Sequence, residues 1–296
     1  MISQQQKKDF AAALRAGKTQ IAPGCYDALS AMMAVKAGAK AVMTSGFAVS
    51  ASHLGYPDVE LYTMTENLTV VRNIANAVDV PVIADTDTGY GNAMNVMRTV
   101  REFEQAGVCA MILEDQVAPK RCAAAANQLE IIPAYEHAGK IRAAVQARRD
   151  PDTLIIARTD ATTQDEAIER AKMYADAGAD LIQPISRTFT DFEGLKRMRA
   201  AVSKPLSLQI LGWLEKDLTQ DQMAEVAGVA CYPLVGLMTA AQAMQDNYAK
   251  LMTDKGTADL PHPVMSMADF KEFIGFQEIE EKQLQFMLTD LKSERA

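Results

Sequence analysis

Carboxylates recur where short apolar runs of this sequence end. VIADTDTGYGN sets Asp85 and Asp87 two residues apart, so both side chains share one face if the strand persists that far. MILEDQ places Glu114 and Asp115 at the end of another run, and HLGYPD places Asp58 in the loop after the second strand. Carboxylates converging on one mouth repel each other unless a cation or protons neutralise them. Hard oxygen donors with few histidines suit Mg²⁺, with Mn²⁺ as the substitute, and Mg²⁺ keeps several waters while taking only one or two carboxylates directly. Taken singly, each is better read as a turn or cap residue, and Asp87-Thr88-Gly89 is placed to cap the next helix. Four together on successive strand ends, Asp58, Asp85, Asp87 and Glu114, favour a metal site.

Other residues add to this mouth. In MTSGFAVSASHLG, Thr44-Ser45-Gly46 ends a strand with small residues, which lets backbone N–H groups approach a carboxylate or oxyanion; a plain strand-to-helix turn explains it equally well. Arg158, closing LIIARTDA, is a fixed positive charge there or half of a structural ion pair. In PKRCAAAANQLE, Lys120 and Arg121 precede Cys122 and are suited to lower its thiol pKa, yet four alanines follow. His53 falls in the loop before Asp58, while His137 and His262 read as helix or tail surface residues. No Ser-His-Asp or Cys-His arrangement emerges, no facial pair of histidines supports an oxygenase, and neither GxGxxG nor GxxxxGK[ST] occurs to support a nucleotide cofactor.

These residues need a scaffold that brings strand ends together. A weak echo runs through VKAGAKAVM, EQAGVCAMI, ADAGADLIQ and EVAGVACYP, each pairing a helix end closed by Gly38, Gly107, Gly178 or Gly228 with a short apolar run. Eight such runs read as buried parallel strands: 19–22, 41–44, 81–85, 110–114, 154–158, 181–185, 205–209 and 229–232. Helical stretches between them, such as 92–106, 134–147 and 164–177, give the alternation of a (β/α)₈ barrel; a doubly wound open sheet is the competing architecture. The barrel is expected over 1–240. The tail, 241–296, has helical periodicity without strands, broken by LPHPV, and is expected to pack on the barrel or on a neighbouring subunit as part of one domain.

Composition narrows the function classes. At 296 residues, 49% of them hydrophobic and 23% charged, the chain can bury a large core. Its net charge of −8, with no basic run, speaks against nucleic-acid or membrane-surface partners. Cys25, Cys109, Cys122 and Cys231 lack CxxC spacing, and MISQQQKKDF lacks the apolar core of a signal peptide, so a reduced, cytoplasmic protein is expected.

The segments TSGF, LGYPD, DTDTGYGNAMNV, LEDQVAPKRC and ARTDA, in this order and spacing, resemble the isocitrate lyase/phosphoenolpyruvate mutase superfamily, nearest its 2-methylisocitrate and 2,3-dimethylmalate lyase branch. The resemblance runs from PGCYDALSA to the C-terminal helices. It implies a Mg²⁺-bearing barrel, generally a homotetramer built as a dimer of dimers that exchange their eighth helix. It further implies that Asp85 holds the metal while Asp58, Asp87 and Glu114 act mostly through water, and that Ser45, Gly46 and Phe47 hold a substrate carboxylate. Arg158 would stabilise a developing enolate, and Cys122, on a loop closing over the substrate, would protonate it beside Lys120.

The departures are specific. Ala123 and Ala124 stand where the lyase branch carries Gly-His after KRC, Ile185 stands for a glutamate, Gln209 lies near an expected asparagine, Gly212 near an expected acid, and YPLVGLM lacks an arginine. The metal and enolate half of the site is kept, and the half that reads the distal part of the substrate is rebuilt. The expectation is a carbon–carbon lyase acting on a small α-hydroxy or α-keto dicarboxylate and releasing pyruvate or a related α-keto acid. The alternatives are an oxaloacetate decarboxylase, a hydrolase of oxaloacetate or phosphonopyruvate, and a non-catalytic metal-binding barrel.

Overall fold

Eight parallel strands close on themselves in sequence order in the computed structural model, which describes residues 2–121 and 129–293, with side chains as far as residue 286. The strands are β1 (Gln20–Cys25), β2 (Val42–Thr44), β3 (Val82–Asp85), β4 (Ala110–Glu114), β5 (Leu154–Thr159), β6 (Leu181–Pro184), β7 (Leu206–Gln209) and β8 (Ala227–Tyr232). The helices are α1 (Gln4–Arg15), α2 (Ala28–Lys36), α3 (Gly46–Val49), α4 (Met64–Ala77), α5 (Ala93–Gln105), α6 (Ala134–Ala147), α7 (Gln164–Asp176), α8 (Phe192–Val202), α9 (Trp213–Lys216), α10 (Gln220–Val226), α11 (Val235–Asp254), α12 (Met267–Phe273) and α13 (Phe276–Ser293). This is the α/β barrel expected from the alternating pattern, and the open sheet is excluded because β1 pairs with β8.

The chain divides into two compact units, Met1–Met238 and Thr239–Ala296. In the first, side chains from alternate strand positions fill the barrel: Ala22, Met43, Ile83, Ile112, Ile156 and Val229 form one cluster with Phe10 and Leu14 of α1. A second, larger cluster lies between the strands and the helical shell, where Val71, Ile74, Phe103, Ile141 and Tyr174 are among the buried residues. Leu14 is fully buried, a contribution of about 2 kcal/mol from its side chain. In the second unit, α12 and α13 are separated by Gly275, whose φ of +80° ends one helix before the next begins. Among the described residues, no helix is long and apolar enough to cross a membrane.

Two expectations about single residues need correction. Gly38, Gly107 and Gly178 each follow a helix with positive φ, as the echo implies, but Gly228 does not. It lies inside β8, where a Cβ would stand 2.6 Å from the Leu14 carbonyl oxygen. Close approach of α1, rather than helix termination, demands glycine there. His137, expected on a surface, is completely buried. With Ala138, Ile141 and Ala144 it belongs to the inward stripe of α6, and its ring meets Tyr174 edge-on at 4.7 Å. Its polar type hid a position that helical periodicity assigns to the core.

Burial, and then the nearby Lys140 and Arg170 charges, push His137 down to about 3. The folded pKa therefore lies below the unfolded value, so this histidine costs nothing above the unfolded pKa and destabilises the native state progressively as pH falls below it. Between pH 7.5 and 5.5 the wild type should lose about 1 kcal/mol more unfolding free energy than His137→Gln, measured by urea titration at each pH.

Candidate active site

Strand register sets the first contact at the mouth. Glu114 of β4 and Arg158 of β5 are paired residues on neighbouring strands, and the Arg158 guanidinium lies 2.7 Å from Glu114 Oε2. The same guanidinium reaches Asp160 Oδ1 at 2.9 Å. One strand earlier, β3 ends at Asp85, whose N–H donates to Thr44 Oγ1 at 3.1 Å. The face shared by Asp85 and Asp87 does not come from a continuing strand, because Asp87 has a φ of +49°. The chain folds back instead, and the Asp87 N–H donates to Asp85 Oδ1 at 3.1 Å. Nor does Asp87 cap α5, a task taken by Asn92.

On the other side of Asp85, the Gly46 N–H donates to Oδ2 at 3.2 Å. A Cβ on Gly46 would lie 2.9 Å from that oxygen and 2.8 Å from the Tyr62 hydroxyl, so only glycine permits the approach. Tyr90 donates to Asp87 Oδ2 at 3.0 Å, and Asn67 donates both to the Tyr90 hydroxyl and to the Asp85 carbonyl. Burial raises Asp85 above the ordinary carboxylate range, Lys120 opposes that rise, and Asp87 adds to it.

Lys120 stands at the centre. Its ammonium lies 2.6 Å from Asp87 Oδ1, 3.0 Å from Asp58 Oδ1 and 3.8 Å from Glu114 Oε1. The residue is 3% exposed. Burial disfavours its charge, but Asp87, Glu114 and Asp58 together outweigh burial and lift Lys120 well above its usual value. Its backbone is anchored separately: the Lys120 N–H donates to Glu60 Oε2 at 2.9 Å, while Glu60 Oε1 accepts from Thr88 at 2.6 Å. Burial also raises Glu114 well above its normal range, with Arg158 and Lys120 opposing that shift.

A second layer stands behind the first. Asp115 follows Glu114 and is fully buried on the opposite face of the barrel wall. It accepts from the Asp160 N–H at 2.8 Å, Thr159 Oγ1 at 2.9 Å, Tyr174 at 2.6 Å and Arg170 at 3.2 Å. Arg170 also donates to the Ile132 carbonyl at 2.9 Å. The helical shell thus fixes Asp160, and Asp160 fixes Arg158. Reasoning from sequence left out Tyr62, Tyr90, Asn67, Glu60, Asp160, Arg170 and Tyr174. The LEDQ dipeptide of acids was the available signal for Asp115, whereas its α7 partners come from distant sequence.

The remaining expected residues divide. Ser45, Gly46 and Phe47 gather above β2, where Ser45 Oγ accepts from Ala48 N–H at 3.3 Å at the start of α3. His53 lies in a π-helical turn, Ser50–Leu54, rather than in an open loop. Gln209 is buried at the end of β7 and donates to Gln183 Oε1 at 3.3 Å, leaving its own carbonyl oxygen without a hydrogen-bond partner. Ile185 is buried just past β6, and its N–H donates to the Thr159 carbonyl. Cys122, Ala123 and Ala124 lie outside the described residues. Cys231, buried at the end of β8, has a thiol pushed up to about 12 by burial, which makes it a poor nucleophile.

The donor set suits Mg²⁺ in chemistry. Asp58 Oδ1, Asp87 Oδ1 and both Glu114 oxygens have no aligned hydrogen-bond donor. Among the described residues, no three acidic, histidine or cysteine side chains are disposed to grip an ion directly. Mg²⁺ takes one or two carboxylates directly and keeps several waters, and the Lys120 ammonium already stands among these acids.

A family model described as phosphoenolpyruvate phosphomutase matches residues 10–252. The chain belongs to this family, within the isocitrate lyase/phosphoenolpyruvate mutase superfamily, and is an enzyme. It is similar to 2,3-dimethylmalate lyase of Eubacterium barkeri, 40% identical over 269 residues that cover 89% of this chain and 92% of that protein. It is likewise 33% identical to 2-methylisocitrate lyase of Shewanella oneidensis, over 92% of this chain and 94% of the other. A solved structure of phosphonopyruvate hydrolase in complex with oxalate and Mg²⁺ superposes with a TM-score of 0.85 at 30% identity, covering 97% of this chain and 100% of that one.

Because Asp115 offsets a buried guanidinium, Asp115→Ala should cost about 3 kcal/mol in chemical denaturation. Tyr174→Phe, which leaves three donors on Asp115, should cost about 1 kcal/mol in the same measurement.

Proposed function

We propose that this enzyme is a Mg²⁺-dependent carbon–carbon lyase that cleaves a small α-hydroxy dicarboxylate to pyruvate or a related α-keto acid and a second carboxylic acid. The observation that carries the reading is the set of carboxylates, Asp87 and Glu114 buried and Asp58 and Asp85 half-buried, converging beside the Arg158 guanidinium at the barrel mouth. The similarity to lyases along most of the chain supports it.

Mg²⁺ bound near Asp85 would act as a Lewis acid on substrate oxygens and orient the α-oxygen and its carboxylate. Asp58, Asp87 and Glu114 would hold its waters. Ser45, Gly46 and Phe47 would hold the substrate carboxylate, and Gln209 would face its distal part. The reaction would pass the α-hydroxyl proton to a carboxylate of the mouth and break the bond to the neighbouring carbon. The oxygen's electrons form the new carbonyl, and the bond pair passes to the departing carbon as an enolate of its acid. Arg158 would stabilise that charge, and Cys122, beside Lys120, would deliver the proton that completes the second acid.

Decarboxylation of oxaloacetate is the second reading. The Ala123-Ala124 pair favours it, because that reaction dispenses with the Gly-His of the lyase loop. We also propose a homotetramer formed with the C-terminal helices, supported by the exposure of Tyr248, Met252, Val264 and Met267. Light scattering on the purified chain tests this, a monomer being the contrary result.

Purified enzyme with Mg²⁺ should release pyruvate from a substituted malate such as 2,3-dimethylmalate, and Asp85→Ala or Arg158→Met should lower kcat/KM by about 10²-fold or more. Cys122→Ser should abolish cleavage of the malate. CO₂ from oxaloacetate alone, above the uncatalysed rate and indifferent to Cys122→Ser, would select the decarboxylase instead.

A further inference from the structure

Lys120 directs its side chain into the acids. Its ammonium is within 4 Å of three separate carboxylates, on the loop after β2, the turn after β3 and the end of β4. A lysine so buried and so surrounded does what a cation does for an acidic mouth: it offsets repulsion among groups that have lost their water. It does so incompletely. Among the described residues, Lys120 and Arg158 are the cations paired with Asp58, Asp87, Glu114 and Asp160, with Asp85 adjoining them, so carboxylates outnumber cations.

We infer that Lys120 is a built-in counter-ion that competes with the divalent cation for Asp58, Asp87 and Glu114, and that loading the metal requires its ammonium to withdraw. This rests on the proposed Mg²⁺ dependence and goes beyond it by assigning Lys120 a role in the metal-free protein. A single ammonium is replaced by two charges, which relieves more of the excess. The backbone need not follow, because Lys120 N–H is held by Glu60 and Arg121 N–H by Gln116, at 2.9 Å each. Only the flexible stem of the side chain has to turn. Space lies on its own flank: Lys120 lines a cavity of about 410 Å³ with Val59, Leu61, Gln116 and Glu130. Glu130 offers a carboxylate there, at present paired only loosely with the exposed Arg121.

The test is binding of Mn²⁺ alone, followed by its paramagnetic resonance signal and by calorimetry, with thermal unfolding in EDTA and in Mg²⁺. Lys120→Met should bind Mn²⁺ at least tenfold more tightly than wild type, unfold at a lower temperature in EDTA, and gain more from added Mg²⁺. Lys120→Gln, which retains a donor for the carboxylates, should tighten binding in the same direction and serves if the methionine variant does not fold without metal. Arg121→Met removes a neighbouring exposed charge and should leave affinity within twofold of wild type. Equal or weaker Mn²⁺ binding in both Lys120 variants overturns the competition while leaving metal dependence standing, and so does an equal gain in Arg121→Met, which would reveal only a general field. Failure of every protein, wild type included, to bind Mn²⁺ overturns both.

Discussion

Everything at the barrel mouth depends on keeping five carboxylates close together in a place with little water. Charges of one sign at such distances are tolerated only with cations or hydrogen-bond donors interleaved among them. The protein does this with few parts. Arg158 lies across from Glu114 because the strands pair in that register. Backbone N–H groups of Gly46 and Asp87 occupy the two oxygens of Asp85. Lys120 occupies the middle. Each is positioned by a local structural necessity: strand pairing, a missing Cβ, a left-handed turn, a loop pinned by Glu60.

Much of this was readable from the chain. The eight apolar runs and their interleaved helices defined the barrel, because parallel strands covered on both faces leave a distinct signature of short apolar stretches between periodic helices. Asp58, Asp85, Glu114 and Arg158 were found because strand ends are where such a barrel exposes chemistry. What escaped has physical reasons. His137 occupies a core position of α6 despite its polar type, and Gly228 serves a contact with α1 that no local pattern encodes. Asp87 reaches Asp85 through a backbone reversal, where alternation along a strand predicted a shared face. The partners of Asp115 lie on α7, far away in sequence, and only the closure of the helical shell brings them near. Lys120 was anticipated for its effect on a thiol, and its place among Asp58, Asp87 and Glu114 has no local sequence signal.

The distal part of the mouth contrasts with this. Ile185 and Gln209 are buried there, and the Gln209 carbonyl oxygen is left without a hydrogen-bond partner. A neutral amide beside an alkyl side chain discriminates by shape and by single hydrogen bonds, whereas paired ions select strongly for charge. Under the proposed function, a strongly polar reaction end would join a mild recognition end, and substrate range would depend more on the second than on the first.

Glu114 and Asp115 are consecutive, yet one faces the mouth and the other the helices. Because alternate residues of a strand face opposite ways, inserting or deleting one residue earlier in β4 would exchange them. The longer acid would then meet Arg170 and Tyr174, and the shorter would fall short of Arg158. A length change in this strand would therefore disturb both sets of contacts at once, whereas a substitution at Arg170 or Tyr174 of α7 reaches only the outer of the two acids.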